Sequence, residues 1–160
     1  MARLDQLSPL ARGLAELAAT IGRDFTFEVL AQASGAGEDM VVRGLDELWQ
    51  HRIVQERAGD AYDFSHDKLR EVACAELSEA RRRMLHRHVA SALETVHADR
   101  LDAVAARVAA HYERGGEPQE AEAYYRRAAR VAEAMQSQED AARYRQRASA
   151  LAEEDPSAAS

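Results

Sequence analysis

Apolar residues recur at helical spacing through Leu10, Leu14, Leu17 and Ile21, which predicts an amphipathic first helix. Ser8 stands where an N-cap belongs, and Pro9 fills the first turn, where its missing N–H costs nothing. Gly22 ends the pattern. Thr26 is placed to cap a short second helix, with Phe25 set to staple against Leu30, and the cluster Ser34-Gly35-Ala36-Gly37 stops it. A third helix is expected from about Glu38 to His51, with Val41, Leu45 and Leu48 buried and Val42 and Trp49 widening the stripe. The period then falls to two. Ile53–Arg57 and Ala61–Ser65 are predicted strands around an Ala58-Gly59-Asp60 turn, with Tyr62 and Phe64 on one face and Asp63 and Ser65 on the other.

Beyond the hairpin, helical spacing returns. Leu69, Val72, Ala73 and Leu77 mark a fourth helix, and Ser78 is placed to cap a fifth with Leu85, Val89, Ala92, Leu93 and Val96 inside. From Leu101 the chain reads as helix pairs. Val104, Val108 and Tyr112 lead to the turn Gly115-Gly116-Glu117-Pro118, followed by Ala121, Tyr124, Tyr125 and Ala128. QEAEAYYRRAARVAE from Gln119 aligns with EDAARYRQRASALAE from Glu139, matching Ala121 with Ala141, Tyr124 with Tyr144 and Ala128 with Ala148. Tyr112, Gly116, Ala121, Tyr125 and Ala128 also fall at the relative positions of a tetratricopeptide repeat. The expected fold is therefore mainly α. A winged-helix domain of three helices plus a β-hairpin over 1–78 precedes antiparallel helix pairs of tetratricopeptide type over 79–152, and 153–160 is expected to be a disordered tail. Tyr112, Tyr124 and Tyr125 are the candidate protein-contact residues of the repeat groove. Because such repeats need neighbours to stack on, an exposed apolar face is expected on the last helices.

Charge bears on the partner. The 28 acidic side chains outnumber the 21 Lys and Arg, for a formal charge of −7. The third helix, which would enter the major groove in a DNA-binding winged helix, offers Glu38, Asp39, Arg43, Asp46, Glu47 and Gln50. So acidic a surface opposes a phosphate backbone, and Arg57 is the sole cation near the wing tip. A free-standing DNA-binding winged-helix factor is accordingly the alternative reading, disfavoured on charge. Arg81, Arg82 and Arg83 fan around the fifth helix and, with His86 and Arg87, read as a solvated face. The single cysteine, Cys74, leaves no internal disulfide and suits a cytoplasmic protein, and no apolar run is long enough for a membrane span.

Six histidines raise the question of metal. His86 and His88 are two apart and project to different sides of a helix, while His51, His97 and His111 stand singly. Neither a metal site nor a catalytic constellation emerges, and no phosphate-binding loop or nucleophile elbow is present. His66-Asp67, in YDFSHDKLREVACAEL, is the one pair that invites chemistry. It also opens the pattern of the metal-dependent HD phosphohydrolases, but the further ligands of such a site are not found at any sensible spacing. Ser65 or His66 suits an N-cap, with Asp67 in the first turn complementing the helix dipole and held by the first-turn amides or by Arg70. A helix N-terminus fronted by an imidazole is equally a good anion contact.

The block from LSPLARGLAELAATIGRDF through YDFSHDKLREVACAELSEARRRMLHRHVASALE resembles the winged-helix segment that follows the ATPase core of STAND-type signal-transduction ATPases. These include large bacterial transcriptional regulators of the antibiotic-regulatory (SARP) and LuxR/MalT-like kinds. The similarity spans about Leu4 to Ala134 and is most specific in F-S-H-D-x-x-R-E and the following R-R-x-L-H-R. It implies that His66 contacts a nucleotide β-phosphate when ADP holds the parent protein shut, that Asp67 shapes the helix start, and that Phe64 anchors the hairpin. The chain carries no ATPase motif, so it is expected to be a non-catalytic piece of a longer protein. ATP or ADP would sit in an upstream ATPase domain, and the partners would be that domain, further helical repeats, and other proteins in the repeat groove.

Overall fold

The computed structural model describes residues 4–155, which form a mainly helical protein with a small three-stranded antiparallel sheet. Helix α1 (Pro9–Ile21) starts where Ser8 Oγ accepts from Ala11 N–H at 3.2 Å, and ends at Gly22, whose φ of +109° suits only glycine. Thr26 Oγ1 accepts from Val29 N–H at 3.3 Å to start α2 (Phe27–Ser34). Helix α3 (Glu38–Gln50) leads to β2 (Val54–Arg57) and β3 (Ala61–Phe64), joined through Gly59 and Asp60, both at positive φ. The pairing extends past the strands, with Ser65 N–H donating to the Ile53 carbonyl at 2.8 Å.

A third strand completes the sheet. Phe25–Thr26 form β1, which pairs antiparallel with β3 and places Phe25 opposite Tyr62. The buried Phe25 ring stacks on Tyr62 at 5.9 Å and meets Phe64 edge-on at 6.3 Å, so Tyr62 and Phe64 share one face as the alternation predicts.

Helix α3 departs from its expected stripe. Val42 and Trp49 are 40% and 57% exposed, while Val41, Gly44, Leu45 and Leu48 are buried. Close approach explains the rotation. A Cβ on Gly44 would lie 2.2 Å from Leu14 Cδ1, so α1 meets α3 along the 41–44–48 line and turns 42 and 49 outward. Glu47, expected on the exposed side, is half-buried and clasps the start of α1, accepting from Ser8 N–H at 2.7 Å and Ser8 Oγ–H at 2.6 Å. Those two bonds hold its carboxyl below the usual carboxylate range.

Helices α4 (Asp67–Ala75) and α5 (Glu79–Val96) follow, then α6 (Leu101–Arg114), α7 (Pro118–Ala134) and α8 (Gln138–Glu154). Ser78 caps α5 as expected, accepting from Arg81 N–H at 3.2 Å. Packing runs on across residue 78: α5 lies on α1 and α2, and Leu85, Val89 and Leu93 join Leu14, Leu30 and Leu48 in one apolar cluster that reaches Val108. A second, smaller cluster of Ala109, Ala121, Tyr125, Ala148 and Leu151 binds α6, α7 and α8. Ala121, Ala141, Ala128 and Ala148, the positions equated by the internal alignment, are all buried, and such small side chains let the helices approach closely. Among the described residues, the last helices show one large exposed apolar side chain, Met135 at the end of α7, and not the expected continuous apolar face. The exposed large apolar residues among those described are Met40, Val42, Trp49 and Met135, and α8 turns Ala142, Arg145 and Ser149 outward. Glu153 and Glu154 are helical, and the rest of the expected disordered tail, beyond Asp155, lies outside the described residues.

Candidate functional site

His66 occupies the N-cap of α4 in extended backbone conformation, φ −142° and ψ 138°, with its side chain exposed and making no capping bond. It lines an open groove of about 1460 Å³ together with Trp49, Val54, Leu69 and Val72, the cations Arg52 and Lys68, and the acids Asp5 and Glu76. Leu69 and Val72, expected on one side of the fourth helix with Ala73 and Leu77, pack against the core cluster. They are half-buried because α4 packs on α1 through Ala73, with Leu77 buried just past its end, leaving the flank of α4 beside Trp49 to the groove. Phe64, 4% exposed, ties the hairpin into the core immediately before this helix.

Asp67 lies in the first turn of α4, where its charge complements the helix dipole. Its ion-pair partner is Arg23, from the turn after α1, at 3.0 Å, in place of the expected Arg70 or first-turn amides. Sequence spacing gave no sign of it, because the two residues are 44 apart. The arrangement leaves an imidazole and the positive end of a helix facing solvent together, which suits an anionic oxygen.

The three candidate contact tyrosines are spent partly on packing between helices. Tyr112 and Tyr124 are half-buried and stack at 6.0 Å, and the Tyr112 hydroxyl donates to Glu94 on α5. Tyr125 is buried and stacks on Tyr144 at 6.2 Å. Burial raises all three phenol pKa values, and Glu94 adds to the effect at Tyr112 and Tyr124. The arginines of α5 are likewise engaged: Arg81 pairs with Glu16 at 2.9 Å, Arg82 donates to the Cys74 carbonyl at 3.1 Å, and Arg87 donates to the Gly115 carbonyl at 2.8 Å.

The pair that sequence reasoning missed is His86 with His111. These rings, 7% and 6% exposed, join α5 to α6 through an Nδ1···Nδ1 hydrogen bond of 2.9 Å. Burial, reinforced by Arg114 and Arg82, lowers His86 to about 4. Burial, then His86, Arg107 and Arg114, lowers His111 to about 3. A signal was present: His86 sits three before Val89 and His111 three after Val108, each on an apolar stripe. No group of three or more His, Cys, Asp or Glu side chains converges among the described residues, and no helix there is long and apolar enough to cross a membrane. No family model matches the sequence, and no similar chain is found among curated proteins or solved structures.

Proposed function

We propose that this chain is the non-catalytic winged-helix and helix-pair relay of a STAND-type signal-transduction ATPase involved in transcriptional regulation. One observation carries the proposal: His66 stands exposed at the start of α4, uncommitted to any capping bond, and lines an open groove. The element order supports it as well. Three helices, a short strand between the first two, and a hairpin are what a winged helix contains, and α4 and α5 then lead into the three consecutive helices α6 to α8.

In this proposal the ATPase core is a separate domain that supplies nucleotide and pocket. His66 donates a ring N–H to the β-phosphate of bound ADP in the closed form, with the N-terminal amides of α4 behind it. The Arg23–Asp67 pair holds the helix start in place, although both side chains are largely exposed and the pair adds little stability. A contact made in one form only biases a two-state population, and about 1.4 kcal/mol shifts it tenfold. Helix α5 shares an apolar cluster with α1 and α2 and also packs on α6, so it is the rigid element able to carry that bias toward the sensing helices.

Calorimetry with Mg-ADP tests the reading. The chain alone is expected to bind no tighter than roughly millimolar, because no second wall encloses the phosphate. Micromolar affinity would reveal a self-contained pocket and end the relay proposal. Joined to an ATPase domain from the same reading frame, His66→Ala is expected to speed ADP release about tenfold, the value of one charge-assisted hydrogen bond.

A further inference from the structure

Helices α6 and α8 both pack on α7, and a groove of about 580 Å³ opens between them. The stacked rings of Tyr125 and Tyr144 line it, and the short side chains of Ala106, Ala110 and Ala150 leave room above them. Its cations are Arg107, Arg143 and Arg147, and no carboxylate lines it. With Arg143 and Arg147 each paired to a carboxylate, the groove keeps one uncompensated positive charge, in a chain of formal charge −7. Arg143 lies 5.1 Å over the Tyr144 ring and pairs with Asp140 on its own helix, and Arg147 pairs with Glu113 in the last turn of α6, both carboxylates lying outside the groove lining. Arg107 has no acidic partner among the described residues.

We propose that this groove binds an extended acidic peptide segment, seating an apolar side chain on Tyr125 and Tyr144 and a flanking carboxylate on Arg107. Charge complementarity selects the occupant. A guanidinium fork matches a carboxylate in two parallel bonds, and a tyrosine face accepts an aliphatic side chain beside it. Shape selects an extended segment over a small molecule. Sites for small ligands close round most of the ligand surface, whereas this groove stays open along both helices. The proposal rests on the reading of α6 to α8 as the partner-sensing half of the relay, and it makes no use of His66.

Fluorescence anisotropy with the full chain tests it. The probe is a short fluorescein-labelled peptide alternating glutamate with leucine, compared with counterparts carrying glutamine or lysine in place of glutamate. The glutamate peptide is expected to bind best, to weaken with salt, and to lose about tenfold in affinity with Arg107→Glu. Arg107 holds no structural ion pair, so circular dichroism of that variant should match the parent. His66→Ala should leave peptide binding unaltered. Equal binding of the glutamine peptide, or an unchanged affinity in Arg107→Glu, overturns the proposal. So does loss of peptide binding in His66→Ala, or displacement by free N-acetylglutamate at the peptide's own concentration, which would assign the groove to a small carboxylate. Failure of these tests with a normal ADP response in the joined protein removes this inference and leaves the relay standing.

Discussion

An imidazole that accepts a hydrogen bond from a second imidazole has to be neutral at the accepting nitrogen. The Nδ1···Nδ1 contact of His86 and His111 therefore holds opposite tautomers, one donating and one accepting. Folding lowers both pKa values to about 4 and 3, chiefly by burial, with Arg82, Arg107 and Arg114 as the facing cations. The unfolded chain, with its rings near 6.5, binds more protons than the folded one below that pH. Stability from the pair is thus complete above about pH 6.5 and is lost as pH falls toward 4, by up to about 1.4 kcal/mol per pH unit for each ring. Urea unfolding between pH 7.5 and 4.5 should show that decline, and the double variant His86→Phe, His111→Leu should flatten it; parallel pH slopes in the two proteins would refute the assignment. Helical ligand spacing within one helix carries no sign of the pair, because these rings meet from two helices, 25 residues apart. Asp67 gives the same lesson. Its helix-start position was legible from local sequence, and its partner Arg23 was not.

At the scale of elements, the helix starts were the most legible part of the chain, because a cap is decided by three or four consecutive residues. Ser8, Thr26 and Ser78 all cap with their hydroxyls as expected. Strand β1 was not legible, since two residues carry no period and Phe25 reads equally as a staple. Nor was the outward turn of Val42 and Trp49, which depends on Gly44 admitting Leu14 from another helix. Ser8 does more than cap: its N–H and hydroxyl both donate to Glu47, fastening the start of α1 to α3. Ser8→Ala removes the cap and one of those bonds together, for an expected loss of about 1–2 kcal/mol in denaturant unfolding. Glu47→Ala should also destabilise, and the double variant less than the sum, because the two side chains form one unit. Full additivity would mean that the clasp contributes nothing beyond an ordinary cap.

Across the whole molecule, the two apolar clusters meet on α6, where Val108 belongs to one and Ala109 to the other. They differ in strength. Helix α5 is anchored by Leu85, Val89 and Leu93, whereas α8 buries Ala141, Ala148 and Leu151 against α7. Burying a leucine contributes about 1.5–3 kcal/mol and an alanine methyl far less, so α8 is held mainly by one leucine and the Tyr125–Tyr144 stack. The ion pairs of Arg143 and Arg145 are exposed and add little. Helix α8 should therefore open below the global unfolding free energy while α1 and α5 open with it. Amide hydrogen exchange resolves this directly: the α8 amides are expected to exchange first, and α8 protection equal to that of α5 would contradict the hierarchy. The same measurement connects stability to the proposed ligand. Because α8 forms one wall of the arginine-lined groove, a peptide bound there at ten times its dissociation constant should raise α8 protection by about 1.4 kcal/mol and leave local openings of the hairpin unchanged. In the proposal, α8 is the loosely held element through which a bound partner is felt, and α5, joined to it through α6 and α7, is the firmer element that holds the signal.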